Sequence, residues 1–514
     1  MSVTRTMDQT SIKTLGELIK SGYTSRSIKD EIRENLILKI KAKENPFPGI
    51  LGYEDSVIPD TERALLSRHN MLFLGLRGQA KTRMARQMVA LLDEYIPVIA
   101  GSEINDDPLQ PISRYALDLI EEHRDNTPID WLHRSKRYGE KLATPDVSVA
   151  DLIGDIDPIK AANLKLNFAD ERVLHYGIIP RSNRCIFVIN ELPDLQARIQ
   201  VSLFNILEEG DLQIRGFKLR LPLDVLFVFT ANPEDYTNRG SIVTPLKDRI
   251  ESQILTHYPK TLETALQITE QEAAINDAQK EKVEVSDLIK RLIEQVAFEA
   301  RESEFVDKKS GVSARLTIAA YENAVSAAER RAIINDEEKT QVWLSDLTGI
   351  IPSITGKIEL VYEGEQEGPF QVSFNLLEKS IRTQFKQYFP DPDTLKKKKG
   401  KDASTENPYK PILAWFDNGN SLDLFLETKD EDKIQKLYKV SGLHALVKKH
   451  YNNNNEKETA LLMELVLHGL AAHSLISKKI IEGKIEFKDL MGSMLNMGSS
   501  EHFTEDDFNE DDFN

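Results

Sequence analysis

Apolar positions change period several times along the chain, and each change marks an element. Ile28, Ile32, Leu36 and Ile40 fall at four-residue steps within a charged segment, the spacing of a helix with one buried face. Met71–Leu74, Tyr95–Ala100, Cys185–Ile189, Val225–Phe229 and Ser252–Leu255 are short apolar runs bounded by turn residues, as buried strands are. Between the third and fourth of these, residues 196–209 keep Ile199, Leu203, Ile206 and Leu207 on one helical face, and residues 212–221 alternate like a hairpin. Helical periodicity then runs from Thr261 to Ala332. Ile358–Tyr362 and Phe370–Phe374 alternate and predict a pair of strands. Residues 408–490 read as helical, with Leu422, Leu424 and Leu426 followed by the Leu461–Leu470 run. The polar, proline-interrupted stretch from Gly101 to Asp151 gives no clear period.

The strand at Met71–Leu74 leads into Gly75-Leu-Arg77-Gly78-Gln79-Ala80-Lys81-Thr82 and then into a helical pattern. Strand, glycine turn, Lys-Thr and helix make a phosphate-binding loop. Gly75 and Gly78 let backbone N–H groups close on phosphate oxygens, and the helix N-terminus adds its partial positive charge. Lys81 is placed to reach the β- and γ-phosphates, and the Thr82 hydroxyl to ligate Mg²⁺. Ala80 stands where the motif has glycine. The preceding Phe47–Tyr53 segment is either a surface lying near an adenine or a plain connector.

Cys185–Ile189 ends in Asn190-Glu191. A strand of this kind commonly ends in Asp-Glu, the first residue holding a metal-bound water and the second orienting the attacking water. Glu191 suits the second role; Asn190 can hydrogen-bond a metal-bound water but brings no charge. Val225–Phe229 runs on to Thr230-Ala-Asn232-Pro, where Asn232 is placed to sense a γ-phosphate, although asparagine before proline also forms turns. Arg249 follows Leu246-Lys-Asp, and Arg315 opens a helix, where an arginine does not suit the dipole and either faces a ligand or sits on the surface.

Bulk properties narrow the classes. The chain has 514 residues, 40% apolar and 29% charged, enough for two to four domains. No apolar run approaches the ~20 residues that span a bilayer. The first residues carry no signal-peptide core, and one cysteine, Cys185, allows no internal disulfide, so the cytoplasm is the expected compartment. A net charge of −17 argues against general nucleic-acid binding, and no membrane association is expected.

Taken in order, the Gly75–Thr82 loop, Ile186–Glu191, Thr230–Glu234, Leu246–Ile250 and Ser313–Arg315 resemble the motif series of an AAA+ ATPase. More narrowly, the chain resembles the magnesium chelatase I subunit and MoxR-like branch, over about residues 45–325. The resemblance implies an α/β AAA+ P-loop domain, a parallel sheet with helices on both faces, followed by a helical lid and a mostly helical C-terminal extension. Together with the patterning of the segments outside it, the resemblance divides the chain into an N-terminal helical segment (1–45), the nucleotide-binding domain (46–258), the lid (259–390) with a small β insertion near 350–375, a Lys-rich linker (391–408), a helical domain (409–495) and an acidic tail (496–514). Within the second of these, residues 151–183 look like a helix-2 insert and 211–222 like a presensor-1 hairpin.

The same resemblance implies roles. Gly75, Arg77, Gly78, Gln79, Ala80, Lys81 and Thr82 would form Walker A, with Thr82 and Asn190 toward Mg²⁺. Glu191 would be the catalytic glutamate, Asn232 sensor 1, Arg249 an arginine finger offered to a neighbouring subunit, and Arg315 sensor 2. It implies ATP and Mg²⁺ as cofactors, a hexameric ring, and a protein partner of the von Willebrand A type. Two other readings stand beside this ring motor. Ala80 and Asn190 suggest a nucleotide-gated assembly module with little turnover, in which Asn190→Asp would raise activity if a missing metal ligand were the limit. A transcriptional activator or helicase ring is the third, although no helix-turn-helix pattern is present and the hairpin lacks the Gly-Ala-Phe-Thr-Gly-Ala loop of sigma-54 activators.

Overall fold

A computed structural model of the protein describes residues 10–165, 170–213, 220–233, 241–394, 407–451, 455–481 and 483–490. The chain forms two compact units, Met1–Pro259 and Lys260–Asn514.

The first unit is built on a five-stranded parallel sheet. Its strands, numbered in chain order, are β1 (Met71–Leu74), β2 (Tyr138–Leu142), β3 (Cys185–Asn190), β4 (Val225–Ala231) and β5 (Ser252–Leu255). Their order across the sheet is β5-β1-β4-β3-β2. The central strands read as continuous apolar runs because both faces are covered. Phe187, Ile189, Phe227 and Phe229 enter one core, while Ile186, Val188, Leu226 and Val228 enter the other. Helix α1 (Ile28–Ala42) contributes Ile28, Ile32 and Leu36 to the second core, and helix α2 (Lys81–Gln87) contributes Met84 and Ala85. A buried bidentate ion pair, Arg137 to Glu31 at 2.7 Å for both bonds, joins α1 to the start of β2.

Tyr95–Ile99 is a strand, but it pairs antiparallel with Ile129–His133 in a separate ribbon rather than entering the central sheet. The stretch without clear period supplies β2, the edge of that sheet. The excursion before β3 leaves and returns through Gly154–Ile156 and Leu174–Tyr176, paired antiparallel around the helix Pro158–Leu164. Gly154 is required there: its φ is +121°, and a Cβ would come within 2.3 Å of the His175 carbonyl oxygen. Asp211–Gln213 and Arg220–Pro222 pair as a hairpin whose tip lies outside the described residues.

The second unit has one continuous apolar core running from Val283 to Phe487. Its long helices are Asp287–Glu302, Arg315–Ile334, Pro369–Tyr388 and Glu456–Ala472. The last is buried on every side from Thr459 to Leu470, mostly by apolar residues but with Glu464 and His468 among them. Arg331, buried, is neutralised by Asp346 and Asp430.

Two expectations about this unit are corrected. No strand pair occupies 358–374; Tyr362–Glu367 and Pro369–Tyr388 are helices. The alternation of Phe370, Val372 and Phe374 loses to the helical series Val372, Leu376, Leu377, Ile381 and Phe385, which buries a continuous face. Leu422–Phe425 is a strand instead of a helix, in an antiparallel sheet with Lys484–Lys488 and Ser477–Ile481. Leu422 and Leu424 are buried there, as period two requires. The lysine run Lys396–Lys399, residues 452–454 and the acidic tail lie outside the described residues. Among the described residues no helix is long and apolar enough to cross a membrane.

Candidate functional site

Because every pairing in the central sheet is parallel, its strands end at one edge. Leu74 lies opposite Ala231 and Leu255, and Leu142 opposite Asn190. Gly75, Asn232, Glu191 and Thr256 therefore emerge together beyond the carboxyl ends, where open α/β sheets bind ligands.

The loop between β1 and α2 is tightly held. The Gly75 N–H donates to the Ala231 carbonyl at 3.2 Å. A Cβ on Gly75 would lie 2.1 Å from Thr256 Oγ1 and 2.3 Å from Gln79 Oε1, so only glycine fits. Gly78 and Ala80 both adopt left-handed backbone, with φ of 72° and 54°. The Tyr258 hydroxyl donates to the Arg77 carbonyl at 2.9 Å, and the Tyr53 hydroxyl lies 2.9 Å from the carbonyls of both Gln79 and His257. The Gln79 side chain is buried against the Thr256 hydroxyl, which donates to it at 2.6 Å. Gln79 is thus a brace for the loop, and the Phe47–Tyr53 approach ends in a loop anchor.

Lys81 opens α2, and its Nζ donates to the carbonyls of Gly75 and Leu76, the latter at 3.0 Å, and to Asn232 Oδ1 at 2.6 Å. The Thr82 hydroxyl donates to Asn190 Oδ1 at 3.1 Å. Thr230 Oγ1 donates to the same oxygen at 3.1 Å and accepts from the Glu191 N–H at 3.1 Å. Glu191 sits in left-handed backbone, φ 55°, a conformation that surrounding contacts must sustain. Four of the sequence-predicted residues, Lys81, Thr82, Asn190 and Asn232, are therefore held at this edge by direct hydrogen bonds, Lys81 to Asn232 and Thr82 to Asn190, with Glu191 next in the chain.

Glu140, in β2, was not singled out by sequence reasoning. Its Oε1 accepts from Asn190 Nδ2 at 2.7 Å. Arg86 of α2 reaches both carboxylate oxygens, and the Tyr138 hydroxyl donates to Oε2 at 3.0 Å. The nearby carboxylate holds the Arg86 guanidinium above its ordinary pKa. Burial first, and then Glu140, push the Tyr138 phenol upward. No sequence signal pointed to Glu140, because β2 is a half-exposed edge strand without a continuous apolar run.

The donor set suits magnesium. The Thr82 hydroxyl and Asn190 Oδ1 are hard oxygen donors lying together beside the N-terminus of α2, with a carboxylate immediately behind the amide. The Lys81 ammonium, at the same sheet edge, supplies the positive charge that an anionic group would meet there.

The two arginines lie elsewhere. Arg249 follows the helix Thr244–Asp248 and bonds Glu208 at 2.7 Å and the Pro245 carbonyl at 2.9 Å, its guanidinium 4.9 Å from the Phe204 ring centroid. None of these partners belongs to the Gly75–Thr82 loop. Arg315 belongs to the second unit, where it opens the helix Arg315–Ile334 and is exposed.

No protein-family model matches the chain, and no curated protein matches it. Among solved structures it is similar to a candidate ATPase from Cytophaga hutchinsonii, at 16% identity over 71% of this chain and 98% of that one, TM-score 0.29. It is also similar to a chain of the BchI–BchD magnesium chelatase complex, at 18% identity over 62% and 98%, TM-score 0.33. A third likeness is to Thermotoga maritima RuvB, at 12% identity over 71% and 89%, TM-score 0.32. At these values no residue's role follows from the likeness.

The class defined by the chain's own parallel sheet and the Gly75–Thr82 loop is the α/β P-loop fold. Within that class, its motif series resembles the magnesium chelatase I and MoxR-like branch.

Proposed function

We propose that the protein is an AAA+ ATPase that binds ATP with Mg²⁺ and hydrolyses it in a self-associated ring. The observation that carries this reading is the hydrogen-bonded convergence of Lys81, Thr82, Asn190 and Asn232 at the carboxyl edge of the sheet. In this scheme the Gly75–Thr82 loop cradles the β- and γ-phosphates through its N–H groups, and Lys81 exchanges its carbonyl and Asn232 contacts for phosphate oxygens. Thr82 and Asn190 would hold the metal, which when bound would neutralise phosphate charge. Glu191 accepts a hydrogen bond from the attacking water and aligns it, and Asn232 keeps water and γ-phosphate in register. Arg249 acts on a neighbouring subunit's nucleotide, and Arg315 is the sensor-2 residue that the resemblance suggests. Each adds positive charge where the transition state spreads negative charge.

A finger offered in trans requires a neighbouring subunit, and a closed hexamer is the family expectation for that assembly. Hydrolysis in such a ring drives remodelling or activation of a partner protein, and a von Willebrand A domain is the partner class that the resemblance suggests. The cytoplasm is the proposed compartment. The test is ATP turnover by the purified chain beside Glu191→Gln, at several protein concentrations, with particle size followed in parallel. Turnover per chain that rises with assembly and is lost in Glu191→Gln supports the motor. Tight ATP binding without turnover, in the presence of candidate partners as well, favours the gated-module reading motivated by Ala80 and Asn190.

A further inference from the structure

The Asn190–Glu140 contact carries an inference that rests on the magnesium–nucleotide reading and deepens it. A carboxylate accepts hydrogen bonds and donates none, so Glu140 Oε1 at 2.7 Å must face the NH₂ side of the Asn190 amide. That fixes the amide's orientation, and its oxygen necessarily turns toward Thr82. Both hydroxyls on that side, Thr82 and Thr230, donate to Oδ1 at 3.1 Å, in agreement. Asn190 is buried, whereas the Glu140 side chain keeps 24% of its surface exposed and is itself held by Arg86 and Tyr138. Charge on Glu140 polarises the amide, drawing electron density toward Oδ1.

We propose that Glu140 is a positioning residue for the metal: Asn190 and Glu140 together replace a single acidic residue at the end of β3, the acceptor oxygen standing on Asn190 and the negative charge one strand away. The substitution at 190 is then half of an exchange and not a loss. The inference reverses the simple expectation for Asn190→Asp. An aspartate there places a second carboxylate at hydrogen-bond distance from Glu140, and two like charges at that separation repel. With Glu140→Gln added, an amide at 140 donates to the carboxylate at 190, and the pair is restored with its members exchanged.

The test measures binding of a fluorescent ATP analogue to the full chain, with Mg²⁺ titrated from EDTA upward. It compares wild type, Glu140→Gln, Asn190→Asp and the double variant. Glu140→Gln is expected to raise the Mg²⁺ concentration for half-maximal enhancement by about tenfold, as loss of an outer-shell partner of a metal ligand does. Its affinity in EDTA stays unchanged, which shows that the fold and loop are intact. Asn190→Asp alone gives no improvement, and the double variant returns to the wild-type Mg²⁺ requirement or below it. A wild-type requirement in Glu140→Gln, or a tighter one in Asn190→Asp alone that the second change does not alter, overturns the inference while leaving the nucleotide site standing. Failure of the wild type to bind the analogue at any Mg²⁺ concentration overturns both.

Discussion

Lys81 Nζ stands 2.6 Å from Asn232 Oδ1, so the phosphate-loop lysine and the residue beyond β4 share one hydrogen bond across 151 positions of chain. The pairing of Leu74 with Ala231 in adjacent parallel strands makes this possible, since both residues emerge at the same edge. Removing Lys81 and altering Asn232 should have different consequences. Lys81→Ala loses charge-assisted phosphate contacts, and nucleotide affinity falls by about ten- to a hundredfold. Asn232→Ala leaves binding nearly intact and lowers turnover by about a hundredfold, the scale for one misplaced polar group around a transition state. Asn232→Asp captures Lys81 in an ion pair that competes with phosphate, weakening binding more than alanine does. Equilibrium titration beside steady-state turnover separates the three.

Ala80 occupies left-handed backbone, φ 54°, one residue before the lysine. A Cβ in that region costs about 1–2 kcal/mol, and glycine gives part of this back through its looser unfolded chain. Ala80→Gly should therefore stabilise the first unit by about 0.5–1 kcal/mol, seen as a raised Tm. A lowered Tm would show that the loop conformation is not strained at Ala80.

Arg137 and Glu31 form a bidentate pair with side-chain exposures of 1% and 5%. Removing one member leaves a buried charge uncompensated, so Glu31→Ala should destabilise the first unit by about 3–5 kcal/mol. Because Arg137 immediately precedes β2, the loss should also disturb Glu140 and weaken Mg²⁺-dependent nucleotide binding. Thermal melts followed by nucleotide titration of the surviving folded fraction check both parts.

Asp224 has its carboxyl pushed up from 3.8 to about 6, by burial above all, although it accepts from the Ile28 N–H at 2.7 Å. The folded chain thus holds this proton more tightly than the unfolded chain. The contribution of Asp224 to stability falls as pH rises from about 4 to about 6 and is flat above. Asparagine keeps the acceptor without the charge. The Tm of Asp224→Asn minus that of wild type should therefore increase across this window and level off by about pH 7. A difference that is constant with pH would contradict the shift.

Much of the first unit was legible because its signals are local. A glycine loop before Lys-Thr, and apolar runs ending in Asn190-Glu191 and Asn232, each announce a strand end carrying a polar group. Parallel pairing then gathers those ends without further instruction. Glu140 was not legible, since its importance comes from being next to Asn190 across a strand boundary, 50 residues away in sequence. Gln79 was read as part of the phosphate loop's binding surface, yet its side chain turns inward to Thr256. The errors in the second unit have a common cause. An alternating triplet predicts a strand, yet one of its members can instead begin a helical face, and only the residues beyond it decide. Val372 continues into Leu376 and Ile381 as a helix, whereas Leu422 and Leu424 are followed by a return strand, Lys484–Lys488, that pairs with them.

The most direct test of the account mixes two variants that the proposed site expects to be inactive alone. On the proposed reading, Lys81→Ala lacks a competent phosphate loop but keeps Arg249, whereas Arg249→Ala lacks the finger but keeps the loop. If the site is completed by a neighbour, random co-assembly places an intact loop beside an intact finger at about one interface in four. ATP turnover by the mixture should then recover to about a quarter of wild type, from near zero in either protein alone. A mixture as inactive as its components, with wild type active under the same conditions and mixed assemblies confirmed by size and labelling, would contradict the shared site.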